Sequence, residues 1–215
     1  MSSKAEFTEF MMGAGVLTFG DFTTKSGRKT PYFINTGKYC TGEQLATLGD
    51  FYAEMIAESG EQFDILFGPA YKGITLAAVT VAALYKNHGI NARYAFNRKE
   101  AKDHGEGGTI VGAMPENGCR IAIIEDVTSA GTSIRETLEI MKAFDNVKIT
   151  ALFVSVDRME RGTGNLTALD ELRSEYGINV YPIITAREII AALPAADGRA
   201  AAMEGYLAKY GPISG

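Results

Sequence analysis

Residues 121–133 read IAIIEDVTSAGTS. The apolar run IAII is short and mostly β-branched, the pattern of a strand buried on both faces of a parallel sheet. Two adjacent acids, Glu125 and Asp126, end the run. The loop that follows carries only small or hydroxyl side chains after Val127, and SIRETLEIMKAF then takes up helical spacing. Strand, small-residue loop and helix form the unit from which α/β sheets are built. Backbone N–H groups converge in such a loop, and the positive end of the helix adds to them, which suits a phosphate. An ordinary turn capped by Thr or Ser has the same composition. The acids favour the ligand reading, because adjacent carboxylates repel each other unless something binds them. A vicinal diol can donate one hydroxyl to each carboxylate, and hydrated Mg²⁺ is another partner. A ligand with both diol and phosphate is a ribose 5-phosphate. The loop lacks a lysine and no G-x-G-x-x-G follows a strand, so the P-loop and dinucleotide fingerprints are excluded.

The same alternation continues on both sides. EQLATLGDFYAEMIAESG (43–60) spaces Leu45, Leu48, Tyr52, Met55 and Ile56 along one helical face, and DILFG (64–68) is a short strand. A helix over 72–89 and strand ARYAFN (92–97) follow. Beyond the opening stretch come strand 147–157, helix 165–177, strand 178–185 and helices near 186–193 and 195–210. A short amphipathic helix is predicted over 4–14. The expected fold is therefore α/β, a mostly parallel central sheet flanked by helices, in a single domain over 1–215. Ligands of such sheets bind beyond the carboxyl ends of the strands, where Glu125, Asp126 and the loop GPAYKG (68–73) fall. Residues 16–40 break the rhythm. They are aromatic, threonine-rich and interrupted by Gly and Pro, and read as short strands forming a small hood over the cleft.

The chain has 215 residues, 46% hydrophobic and 22% charged, with a formal net charge of −5. This balance excludes a general nucleic-acid binder, so an anionic ligand must be held by a local cluster of cations. No apolar run approaches the roughly 20 residues of a membrane span, and MSSKAEFTEF lacks the apolar core of a signal peptide. A cytoplasmic protein without membrane partners is expected. The two cysteines, Cys40 and Cys119, match no metal-ligand spacing and read as reduced thiols. The sequon at Asn165 reads as idle and His88 as structural. FNRKEAKDHGEGG (96–108) concentrates Arg98, Lys99, Lys102 and His104 in a glycine-rich stretch with almost nothing apolar to anchor it. A solvated charged loop fits that composition, and so does a mobile lid, about 98–108, that brings cations and excludes water.

Ile121–Ser133 closely resembles the phosphoribosyl-pyrophosphate (PRPP) signature of the type I phosphoribosyltransferases. Glu125 stands where Asp is also common, and Ser129 where Thr is frequent; both keep the chemistry. FTTKSGRKTPYFIN (22–35), FGPAYKG (67–73) and the lid stretch, in this order and spacing, resemble the orotate-specific branch of that family over nearly the whole chain.

The resemblance implies transfer of the 5-phosphoribosyl group from PRPP to orotate, giving orotidine 5′-monophosphate and pyrophosphate, with Mg²⁺ held mainly through PRPP and water near Glu125 and Asp126. It implies PRPP contacts from Lys25, Tyr71, Lys72, Arg98, Lys99, Lys102, His104, Glu125, Asp126, Val127, Thr128, Ser129, Ala130, Gly131, Thr132 and Ser133. Lys102 and His104, with the two acids, are the catalytic candidates. Phe33, Ile34, Ser129 and Arg158 are the candidates for orotate, Arg158 by pairing its carboxylate. The family commonly has two aromatics where this chain has Phe33 and Ile34. A cis peptide bond at Ala70–Tyr71 is expected, as is a homodimer in which the lid serves the partner's site. A phosphoribosyltransferase for another base is the competing reading, though purine enzymes do not usually carry this hood and lid. A regulatory protein with the same fold would need a basic DNA-binding segment that this chain lacks. The C-terminal helix offers no evident chemistry.

Overall fold

The computed structural model describes residues 3–24, 27–99, 109–127, 132–162, 164–194 and 198–213, with the side chains of Thr132 and Ser133 outside that description. Six strands form the central sheet: β3 (Ile65–Phe67), β4 (Arg93–Asn97), β5 (Ile110–Gly112), β6 (Arg120–Val127), β7 (Lys148–Asp157) and β8 (Asn179–Thr185), in the order β5-β4-β3-β6-β7-β8. All neighbours pair in parallel except β4 and β5, which are antiparallel. Sequence alone does not reveal β5, because three residues carry too little periodicity to register.

Alternation along β6 divides the core. Ala122 and Ile124 join the larger cluster beneath α2 (Gly42–Ser59) and α3 (Lys72–His88). Ile123 packs on the other face with Ile134 of α4 (Thr132–Met141) and Leu169 and Leu172 of α5 (Ala168–Tyr176). Helix α2 of the first layer has a defined start and stop. Thr41 and Gln44 form a capping box at the start of α2, and Gly60 (φ 67°) ends it. In the second layer, Gly177 (φ 64°) closes α5.

Helix α1 (Lys4–Gly13) matches its expected span, as do α6 (Ala186–Ala192) and α7 (Gly198–Tyr210) within a few residues. The segment set apart by composition forms an antiparallel hairpin, β1 (Leu17–Thr23) and β2 (Lys29–Ile34), followed by a 3-10 turn at Thr36–Lys38. The hairpin is a separate two-stranded sheet, with α1 against β1 and α7 against β2. Tyr32 of β2 is fully buried and meets Tyr206 of α7 edge-on, with ring centroids 6.0 Å apart. Cys40 is exposed, Cys119 is buried, and neither forms a disulfide. No described helix is long and apolar enough to cross a membrane.

Candidate active site

The carboxyl ends of β3 and β6, adjacent strands, carry the loop Gly68–Tyr71 and the acid pair. Gly68 and Gly73 bracket the first loop, because it folds back on itself. A Cβ on Gly68 would lie 1.9 Å from the Gly73 carbonyl oxygen, so no side chain fits there. The Ala70–Tyr71 peptide bond is cis, as the sequence reading expected. Asn97, at the end of β4, accepts a hydrogen bond from the Ala70 amide at 2.9 Å and ties this loop to the next strand. Lys72 then opens α3, where the helix's positive end adds to its charge.

The acids are fixed through their backbone. The Tyr52 hydroxyl donates to the Glu125 carbonyl and the Ser155 hydroxyl to the Asp126 carbonyl, both at 2.6 Å. Burial raises the Tyr52 pKa, and the negative charge of Asp126 raises it further, so the phenol stays a donor. Asp126 Oδ2 is 2.7 Å from Lys72 Nζ and also accepts from the Thr36 hydroxyl; Lys72 Nζ in turn donates to Thr36 Oγ1 at 3.0 Å. These three groups border a cavity of about 180 Å³, lined further by Tyr39, Leu45, Leu48 and Leu76. The repulsion that makes adjacent acids costly is relieved here by an ammonium group. The Lys72 side chain is 59% exposed against 12% for Asp126, so water or a phosphate can replace its partner readily.

The lid candidates divide. Arg98 lies at the foot of the β4–β5 hairpin, its amide donating to the Thr109 carbonyl at 2.7 Å, and Asn97 pairs with Ile110 just inside. Lys99 Nζ is 3.5 Å from Glu136 on α4, beside the acid-bearing strand. Lys102, His104, Lys25, Thr128, Ser129, Ala130 and Gly131 lie outside the described residues, as do the side chains of Thr132 and Ser133. Val127 ends β6, and Tyr71 is 73% exposed beside the loop.

A second group forms under the hairpin. Arg158 directly follows β7. Its guanidinium lies 4.3 Å over the Tyr32 ring, and its Nε and Nη2 both reach Glu160 Oε1 at 2.7 Å. The same oxygen accepts from the Tyr206 hydroxyl at 2.8 Å, and Arg28 Nη1 is 3.6 Å from Oε2. The turn that brings Glu160 back to Arg158 is made by Asp157, which accepts from the Met159 amide at 2.7 Å, with Met159 at φ 53°. Arg158 and Glu160 side chains are each 11% exposed. Phe33 is 42% exposed and packs on Phe22, whereas Ile34 packs into the main core. Tyr32, not Phe33, is therefore the ring under Arg158. Period-two alternation within KTPYFI distinguishes the two positions but does not say which faces the arginine. Glu160, Tyr32, Tyr206, Thr36 and Asn97 are the contributors that sequence reading missed, since each acts through tertiary contacts.

The family model for the phosphoribosyl transferase domain matches residues 37–165. An orotate phosphoribosyltransferase of Clostridium beijerinckii is 53% identical over 188 residues, spanning 87% of this chain and 84% of that protein. One of Cronobacter sakazakii is 49% identical over 211 residues, 97% of this chain and 98% of that protein. The crystal structure of the Francisella tularensis orotate phosphoribosyltransferase superposes with a TM-score of 0.87 at 37% identity, covering 98% of both chains. With the domain matched over residues 37–165, and sequence and three-dimensional architecture shared over nearly its whole length, this chain belongs to the phosphoribosyltransferase family, among the orotate phosphoribosyltransferases.

Proposed function

We propose that the protein transfers the 5-phosphoribosyl group of PRPP to orotate, giving orotidine 5′-monophosphate and pyrophosphate in pyrimidine biosynthesis. One observation carries the reading beyond family membership. The carboxyl end of β6 and the start of the helix that follows its neighbour β3 bring Asp126 and Lys72 within 2.7 Å, so a cation and an acid converge as a pyrophosphate beside a ribose would need. Orotate N1 bonds to the ribose C1 as the C1–O bond to pyrophosphate breaks. Pyrophosphate takes the bonding pair, and the N1 proton is released. Lys72 meets the leaving pyrophosphate, with backbone donors around Tyr71. Asp126 and Glu125 accept from the ribose hydroxyls and offset the positive charge that develops on the sugar. Thr128–Ser133, at the start of α4, hold the 5-phosphate. Arg98, Lys99, Lys102 and His104 supply further cations and a proton donor, and Lys25 reaches PRPP from the hood. Arg158 pairs the orotate carboxylate, with Phe33, Ile34 and Ser129 beside the ring.

Mg²⁺ fits the acid pair as a cation carried in by PRPP. Asp126 Oδ2 is already shared by Lys72 and Thr36, so Glu125 and Asp126 would meet the ion through water. When bound, it neutralises pyrophosphate charge. The single-domain reading over 1–215, with hood and lid, rests on the β1–β2 hairpin and on the β4–β5 hairpin that carries the lid. We place the enzyme in the cytoplasm as a homodimer, with the lid cations acting partly in the partner's site.

The test is loss of orotate ultraviolet absorbance on mixing protein, Mg²⁺, PRPP and orotate. Turnover with uracil or hypoxanthine but not orotate would overturn the assignment. Mixing Lys102→Ala and Arg158→Ala subunits should recover part of the activity, since one hybrid site is intact. Hybrids that form and recover nothing rule out the shared site.

A further inference from the structure

The geometry points to Glu160, held by Tyr206 of the C-terminal helix, as the positioning residue that sets the edge and net charge Arg158 presents to the nucleobase. This rests on the assignment of Arg158 to the orotate carboxylate. A guanidinium has five N–H donors: one on Nε and two on each Nη. Arg158 donates through Nε to Glu160 Oε1 at 2.7 Å, its Nη2 lies 2.7 Å from the same oxygen and donates to Thr30 Oγ1 at 3.4 Å, and its guanidinium also bonds the Tyr206 hydroxyl. The side-on edge is thus committed to Glu160. On the Nη1–Nη2 edge stands only the long contact to Thr30, which a second carboxylate in the two-pronged geometry arginine favours would displace. The Tyr32 ring fixes the guanidinium plane, so Glu160 fixes the remaining freedom, rotation within that plane.

Charge leads to the same assignment. Arg28, Arg158 and Glu160 together carry one positive charge, with Arg158 and Glu160 largely buried, and the orotate carboxylate would offset it. Without Glu160, Arg158 and Arg28 would face each other with no anion between them, and Arg158 would lose its orientation. Tyr206 completes the device. Burial and its hydrogen bond to Glu160 raise its pKa, so it donates throughout the neutral range. A base without the carboxylate, such as uracil, leaves the positive charge unmatched, and burying such a charge is costly.

Steady-state kinetics of Glu160→Gln, with orotate and PRPP varied separately, test this. Glutamine keeps the shape and one acceptor but not the charge. The expected result is an orotate KM raised about tenfold, as for loss of one charge-assisted hydrogen bond, with the PRPP KM unchanged. Tyr206→Phe, which removes one hydroxyl from an otherwise intact ring, should shift the orotate KM in the same direction by less. In the Arg158→Ala background, Glu160→Gln should add nothing, because the two act as one unit. An orotate KM that is unchanged or lower in both single variants overturns the inference: unchanged means a structural role, lower means that Glu160 merely masks charge. A full additive effect in the double variant also overturns it. If Arg158→Ala itself leaves the orotate KM unchanged, the base-site assignment fails instead, so the two failures are distinguishable.

Discussion

The two groups proposed above for PRPP and for orotate would bind an anion in opposite ways. At the PRPP end, the Lys72 side chain is 59% exposed and pairs with an acid that a ribose would claim. At the proposed base end, Arg158 is 11% exposed, stacked on Tyr32 and paired with an equally buried Glu160. An exposed pair is worth little, roughly 0–1 kcal/mol, so exchanging it for a ligand costs little. A buried pair is expensive to break, roughly 3–5 kcal/mol, because one charge is left uncompensated. The first end is thus built to be rearranged by a flexible, highly charged substrate. The second is preorganised for a small, flat one, and preorganisation is where discrimination between bases is best placed.

The comparison breaks if either cation serves both substrates. Lys72→Ala removes a donor to the developing negative charge on pyrophosphate and leaves Asp126 without its ammonium. Its kcat/KM for PRPP should fall about 10²–10³-fold. Arg158→Ala should raise the orotate KM by about 10–100-fold with a much smaller change for PRPP. Steady-state kinetics with each substrate varied separately check both. If the two variants give the same pattern, the ends are not separable.

Salt sharpens the contrast at lower cost to the protein. The Debye length falls from about 10 Å at 0.1 M to about 3 Å at 1 M, and screening acts mainly on exposed charges. Between these concentrations the PRPP KM should rise severalfold and the orotate KM should rise less. Equal slopes would mean that Arg158 is not shielded when orotate arrives.

The parts of the proposed PRPP end are local in the sequence. IAII, the acids and the small-residue loop are contiguous, and Gly68 and Gly73 announce a tight return five residues apart. The parts of the base end come from distant places. Tyr32 lies in the hairpin, Arg158 and Glu160 after β7, and Tyr206 in α7, a helix whose sequence suggested no chemistry. Arg158 could be nominated as a cation directly after a strand, but nothing in the sequence pointed to Glu160, two residues later, as its partner. The turn that joins them depends on Met159 adopting φ 53°, which no residue preference foretells. Strand β5 went unseen for a different reason, since its pairing to β4 supplies what its own three residues lack.

Both ends share one floor, and the smallest expected effect tests whether they move independently of it. At the opposite, amino ends of the central strands, Asp64, just before β3, accepts from the Arg120 amide at 2.8 Å and from its guanidinium at 3.0 and 3.2 Å, joining the starts of β3 and β6. Those hydrogen bonds to Arg120 hold the Asp64 pKa at about 2, below the ordinary 3.8. A carboxylate with a depressed folded-state pKa contributes stability that is complete above the unfolded value and lost as pH falls through the folded value. The loss should therefore run from about pH 4 down to about pH 2. Both partners are partly exposed, so the contribution is modest. Asp64→Asn should flatten the fall in denaturation midpoint across that window, read by thermal or urea melts at successive pH values. At neutral pH the variant should keep the ratio of PRPP to orotate KM, because β3 and β6 carry the PRPP end while β7 carries the base end, and a loosened floor is not a changed contact. A shift in that ratio would show that the register of β3 against β6 tunes one end alone, and the separation between an exchangeable end and a fixed one would then extend down through the sheet.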